Sequence, residues 1–227
     1  MENKLISVIM SVYNNEDTLE ESIISILDQT HKNIEFLITD DGSTDNSYQI
    51  INKFKEQDER VITFKNTTNI GLTKSLNNMI RYSKGDYIAR QDADDISLKN
   101  RLETQMGLMS MKKVKISTSR AHIKNSHKKI PGISFMIPYK FLIYVKNPFI
   151  HGTLIIESSI MREYMYDENF IYAQDYELFT RLIKNKIPIL RVKKPLYVLN
   201  TRNNISNLFY SEQRKFSLQI KKKLRKF

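Results

Sequence analysis

Tyr87-Ile-Ala-Arg-Gln-Asp-Ala-Asp-Asp95 joins a short apolar run to three carboxylates packed within four residues. The run Tyr87–Ala89 reads as a strand that ends where the acids begin. Asp94 and Asp95 repel as neighbours and raise each other's pKa unless water or a cation screens them. Asp92 and Asp94 alternate, so an extended segment aims both the same way. Hard oxygen ligands of this kind suit Mg2+ or Mn2+ held jointly with a diphosphate. An acidic cap for the helix that follows is the competing reading. What lies on either side decides between them.

Upstream, strands and helices alternate. Leu5–Val12 is apolar and rich in β-branched residues, as a buried strand is. Asn14–Asp17 is a loop and cap, and Thr18–Asp28 carries Leu19, Ile23, Ile26 and Leu27 at helical spacing. Ile34–Ile38 is a second strand running into Thr39-Asp-Asp-Gly-Ser43. Asp45–Gln57 is a helix with Asp45 as its N-cap, Val61–Phe64 a third strand, and Leu72–Tyr82 a helix broken by Gly85. Strands separated by helices imply parallel βαβ units. Ligands bind beyond the carboxyl ends of such strands. That rule brings Ser11–Asn14, Asp40–Ser43 and Asp92–Asp95 to one edge. Tyr13 can stack on a base there or serve only in packing, and a carboxylate can accept from a base N–H or a ribose hydroxyl.

The 227 residues suit one α/β domain with a small extension, and 41% hydrophobic content supports a real core. There is no Cys, which is compatible with a reducing compartment. No apolar run reaches the roughly 20 residues that cross a bilayer, and the start of the chain has no signal-peptide pattern. The expected location is the cytosol. Net charge is +11, unevenly placed: residues 1–110 hold 12 Lys and Arg against 18 Asp and Glu, residues 111–227 hold 24 against 7. A basic half suits a phosphorylated substrate, an anionic lipid or nucleic acid. No nucleic-acid motif accompanies it, and the acidic cluster at the expected cleft argues against that partner.

As a set, Ile6–Asn14, Phe36–Asp45, Asn69–Leu72 and Asp92–Asp95 resemble the successive motifs of family 2 glycosyltransferases, in order and spacing across residues 5–105. The resemblance implies a GT-A fold: an α/β, Rossmann-like, mostly parallel sheet flanked by helices. It implies transfer of one sugar from a nucleotide-sugar, usually with inversion. Ser11, Tyr13 and Asp41 then contact uracil with Asp40 beside them, and Asn14, Gly71 and Ala93 belong to the same donor site. Asp92 binds ribose or metal, and Asp94 binds the Mn2+ or Mg2+ that bridges the donor phosphates. The chain has no Trp, so the Gln-x-x-Arg-Trp signature of processive members is missing and single additions are expected. A sugar-nucleotidyltransferase also uses such a sheet, but its Gly-rich loop has no counterpart in Ser11–Asn15.

The second half is read more loosely. Lys112, Lys113, Lys115, Arg120, Lys124, Lys128 and Lys129 make residues 112–150 a candidate anion-binding surface or a solvated loop. His151–Ile156 reads as a strand, with His151 either touching acceptor or β-phosphate or packing structurally. Ala173–Leu182 is a helix with Asp175 at its start, where an N-cap role would suffice. The stretch resembles the family's Glu-Asp motif, with Gln174 in place of Glu, which implies Asp175 as general base. Leu196–Arg202 is a late strand, and Arg202 can reach a diphosphate. From these readings, residues 1–205 form the catalytic domain, split near 110 into donor and acceptor halves. Residues 206–227 form a basic helix with a Phe216, Ile220, Leu224, Phe227 stripe. That stripe either lies on an anionic membrane or packs on the domain. The expected partners are a UDP-sugar, a glycan or lipid-linked glycan acceptor, and an anionic membrane surface.

Overall fold

The structure, a computed structural model, describes residues 4–126, 128–201 and 209–225. Four parallel strands begin it: β1 (Ile6–Val12), β2 (Ile34–Asp40), β3 (Val61–Lys65) and β4 (Tyr87–Arg90). Helices α1 (Glu16–Leu27), α2 (Ser47–Gln57) and α3 (Leu72–Tyr82) cross between them. The short β5 (Ile96–Ser97) and α4 (Arg101–Lys112) follow. Next come β6 (Ile116–Ile123), β7 (Lys129–Ile130), α5 (Tyr139–Leu142), β8 (Ile155–Glu157), α6 (Ser158–Tyr164), α7 (Gln174–Lys184), β9 (Leu190–Leu199) and α8 (Tyr210–Arg225). One sheet runs β3-β2-β1-β4-β8-β6-β9-β5, with β7 beside β6 and β8 antiparallel to both neighbours.

The central strands are buried on both faces, and their alternation builds two cores. Val8, Met10 and Val12 face Leu19, Ile23, Ile26, Leu102 and Met106, from α1 and α4. Ile9, Leu37 and Ile88 face Leu76, Met79 and Ile80 of α3, with Leu178, Phe179 and Leu182 of α7 in the same cluster. Helices therefore cover both sides of the sheet, and the carboxyl ends of β1, β2 and β4 open on one edge.

Several boundaries differ from the sequence reading, each for a local reason. α1 starts at Glu16, not Thr18, because the Glu16 N–H donates to Asp45 across the edge at 3.0 Å. Asp45 also accepts from Ser47 N, and Glu16 in turn accepts from Asn46 N, so the two helix starts cap each other. His151–Thr153 is a 3-10 turn closed by Thr153 Oγ1 donating to Ile150 O; the strand is only Ile155–Glu157. Residues 112–150 hold two strands and a short helix as well as loops. β9 begins at Leu190, six residues before the expected start, and pairs with β6 through a register shift beside Pro195.

The basic tail helix is docked. Ile220 and Leu224 of α8 are buried in the α7-side core, and Phe216 packs edge-on to Phe170. Of the two readings of the apolar stripe, membrane or domain, Phe216, Ile220 and Leu224 take the second; its last member, Phe227, lies outside the described residues.

Candidate active site

The acidic stretch is a turn, with Asp95 N donating to Asp92 O at 3.3 Å, not the extended segment expected. Two side chains that drew no notice in the sequence shape it. Gln91, wholly buried, donates to the carbonyls of Asp92 and Asp95 and accepts from Ser97 Oγ at 2.7 Å. Tyr197 of β9 receives the Asp92 N–H at 3.1 Å. Below the turn lie two buried arginines. Arg90 pairs with Asp92 at 2.6 Å, and Arg101 donates to the carbonyls of Arg90 and Gly152. Gly152 is needed here, since a Cβ on it would stand 2.7 Å from Asp92 Oδ2.

The three acids have separate environments. Asp95 is buried and accepts from Asn200 N at 2.7 Å and from Tyr197, so it ties β9 to the turn. Its pKa is raised by burial and by Asp92 and Asp94. Asp92 is half-buried and neutralised in part by Arg90. Asp94 has no ion-pair partner among the described residues; burial, and then the Asp92 charge, push its pKa up to about 6. A cation would relieve that strain on Asp94. Among the described residues no three His, Asp or Glu side chains converge into a complete metal cage. Asp92 and Asp94 supply hard oxygen ligands of the kind a cation uses when phosphate and water complete its shell.

On the β1–β2 side, Asp41 is a brace. Its Oδ1 accepts from Asn66 Nδ2 at 2.7 Å and Ile70 N at 3.0 Å, and its Oδ2 from Gly71 N at 2.9 Å. Gly71, at φ 92°, is in the left-handed region that glycine tolerates, and α3 starts directly after it. Asn14 also braces: its N–H donates to Ser43 Oγ and its Oδ1 accepts from Thr44 N. Asp40 is different. It is wholly buried, accepts weakly from Ser43 N at 3.3 Å, and its Oδ2 has no partner. Ser11 is half-buried at the end of β1, Tyr13 is 50% exposed beyond it, and Ala93 packs against the α1-side core.

From the second half, Asp175 opens α7. Its Oδ2 accepts from Asn147 Nδ2 at 2.7 Å and its Oδ1 from Tyr176 N. Burial, and also the nearby Asp92 charge, raise its pKa to about 6. Gln174 is buried beside it. His151 shares a 2.6 Å hydrogen bond with Tyr166, and burial and Arg90 depress its pKa to about 3. Its ring is held neutral, with Nε2 engaged by Tyr166. Arg202 lies outside the described residues. The structure thus brings Asp92, Asp94, His151 and Asp175 to one region, links the halves through Tyr197 and Gly152, and holds Asp175 with Asn147. Asn147 had no signal in the sequence beyond being a polar residue in an apolar stretch.

A family model, glycosyl transferase family 2, matches residues 7–170. An uncharacterized glycosyltransferase of Methanocaldococcus jannaschii is 33% identical over 214 residues, covering 90% of this chain and 74% of its own. A UDP-Glc:alpha-D-GlcNAc-diphosphoundecaprenol beta-1,3-glucosyltransferase of Escherichia coli is 31% identical over 188 residues, covering 82% of this chain and 72% of its own. The solved mannosyltransferase of Pyrobaculum calidifontis, in complex with GDP-Man and Mn2+, superposes with a TM-score of 0.77 at 16% identity. That match covers 98% of this chain and 64% of the other. The chain belongs to glycosyl transferase family 2, an enzyme family, and its fold is GT-A.

Proposed function

We propose that the chain moves one sugar, with inversion, from a UDP-sugar to a glycan acceptor carried on a lipid diphosphate, using Mn2+ or Mg2+. The observation that carries this reading is the pair of raised carboxylates, Asp94 and Asp175, that approach Asp92 from opposite halves of the chain. One suits the donor diphosphate and the other a proton. The UDP and the lipid-linked acceptor are supported by the Escherichia coli relative's name, and the metal by the Mn2+ in the solved neighbour.

In this reading Tyr13 stacks on the uracil ring, with Asp41 and Asp40 at the base end of the donor site. Asp94, with Asp92, holds the cation, which would neutralise the departing diphosphate. The acceptor oxygen attacks the anomeric carbon as its bond to the diphosphate oxygen breaks, and the acceptor's proton passes to Asp175. A base of pKa about 6 is ionised at neutral pH yet basic enough to take a proton in the transition state. Asn147 and the Tyr176 N–H each occupy one oxygen of Asp175 and so fix the carboxylate, and a remaining lone pair takes the proton.

Incubating the protein with individual UDP-sugars and Mn2+, without acceptor, and measuring UDP release tests this. Slow release from one or a few donors is expected. No release from any UDP-sugar, together with release from GDP-sugars, would replace the donor assignment.

A further inference from the structure

Between β7 and the 3-10 turn at His151 the chain makes an excursion whose inner and outer sides differ sharply. Inside, it is pinned. Arg191 donates to the carbonyls of Phe135 and Ile137 at 2.9 and 2.8 Å, and Arg120 donates to Pro131 O at 3.1 Å. Tyr176 donates to Ile143 O at 2.5 Å, and Leu142, Ile143 and Phe149 are buried. Outside, large apolar side chains are exposed to solvent. Ile133 is 90% exposed, Met136 78%, Phe141 71% and Val145 63%, with Ile137 and Tyr144 beside them. A held backbone that exposes six large apolar residues between Ile133 and Val145 is unusual in a monomer and points to a contact surface.

Charge selects what touches it. From Glu103 to Glu157 the chain has no Asp or Glu between, and nine Lys and Arg. Lys128, Lys129, Lys140 and Lys146 are exposed on the excursion and its approach. A second copy of the chain would bring like charges together, whereas exposed apolar side chains interspersed in sequence with lysines suit an interface of anionic headgroups over acyl chains. We propose that residues 131–146 dock on an anionic phospholipid bilayer. This moves the membrane contact from α8, whose Ile220 and Leu224 are buried, to the excursion. It also gives the contact a purpose under the proposed function. Asn147, the next residue after the lysine that ends the excursion, holds Asp175, so docking would set the base near the headgroups where a lipid-linked hydroxyl lies.

Vesicle binding needs no turnover, so its failure is separable from failure of the donor assignment. The full chain is sedimented with vesicles of phosphatidylcholine alone or mixed with phosphatidylglycerol. Binding only to the anionic mixture is expected, reduced in about 0.5 M salt, where the screening length drops below roughly 5 Å. Met136→Ser/Phe141→Ser should weaken binding at least about tenfold with the melting temperature unchanged. Because the chain lacks Trp, Phe141→Trp supplies a single reporter, and its emission should shift to the blue on anionic vesicles; Leu218→Trp, 48% exposed on α8, should not shift. The proposal is overturned by equal binding of the double serine variant, by an unshifted Phe141→Trp on pelleted protein, or by no vesicle binding at all. A concentration-dependent dimer that the serine variant abolishes, without vesicle binding, would make the excursion a self-association surface and also overturn it. If the serine variant melts early, the two Trp reporters decide.

Discussion

Asp175 and Asn147 carry the first two expectations. Asp175→Asn removes the proton acceptor and leaves the donor side intact, so turnover should fall roughly 100-fold or more with UDP affinity almost unchanged. A collapse of UDP affinity in that variant would make Asp175 a binding residue. Its pKa near 6 also sets a pH limit: the group works ionised, so kcat/KM should rise with pH through about 6 and level above. Asn147→Ala removes a donor to the ionised carboxylate, which favours the protonated form. The acid limb should therefore move to higher pH, and activity at pH 6 should suffer more than at pH 8. A uniform loss at all pH values would assign Asn147 a structural role only. The proposed role of Asp175 as base rests on the motif resemblance, and its position at a helix start was legible in the sequence. Asn147 was not, since it lies 28 residues away and only tertiary packing brings the two together.

At the scale of elements, the turn Asp92–Asp95 depends on groups from β4, α4, β9 and the His151 turn. Gly152 is where these crowd together. Gly152→Ala should cost about 1–3 kcal/mol by overpacking and displace Asp92, weakening UDP and Mn2+ binding along with stability. Calorimetric unfolding and UDP titration of the same variant read both, and an unaffected titration would mean that the turn does not set the donor site. The parallel strands and their crossover helices were legible from alternation and length: α3 runs Leu72–Tyr82 as its spacing and Gly85 dictate. The acidic turn was not, because Gln91 and Tyr197 impose its shape through bonds that sequence spacing does not report. Nor were the different surroundings of Asp40 and Asp41: Asp41 accepts from Asn66 Nδ2 and the N–H groups of Ile70 and Gly71, and Asp40 from Ser43 N.

For the whole molecule, the two cores share one sheet and α8 closes one of them. Ile220→Ala should destabilise by about 2–5 kcal/mol, as a buried aliphatic truncation does, and removing residues 210–227 should abolish cooperative melting. A truncated chain that melted normally would return α8 to the status of an appendage. Its stripe was read correctly as apolar at helical spacing, but what it faces was open, since a basic amphipathic helix suits a membrane and a protein equally well in sequence. The site joins the acidic first half to the basic second half, and its central claim is that Asp94 serves the donor through a cation while Asp175 serves the acceptor's proton. Calorimetric titration of UDP, with Mn2+ and with EDTA, into the unaltered chain, Asp94→Asn and Asp175→Asn tests this most directly. The account predicts binding that needs Mn2+, is lost or much weakened in Asp94→Asn, and persists in Asp175→Asn; UDP binding equally strong in EDTA, or unaffected by Asp94→Asn, would contradict it.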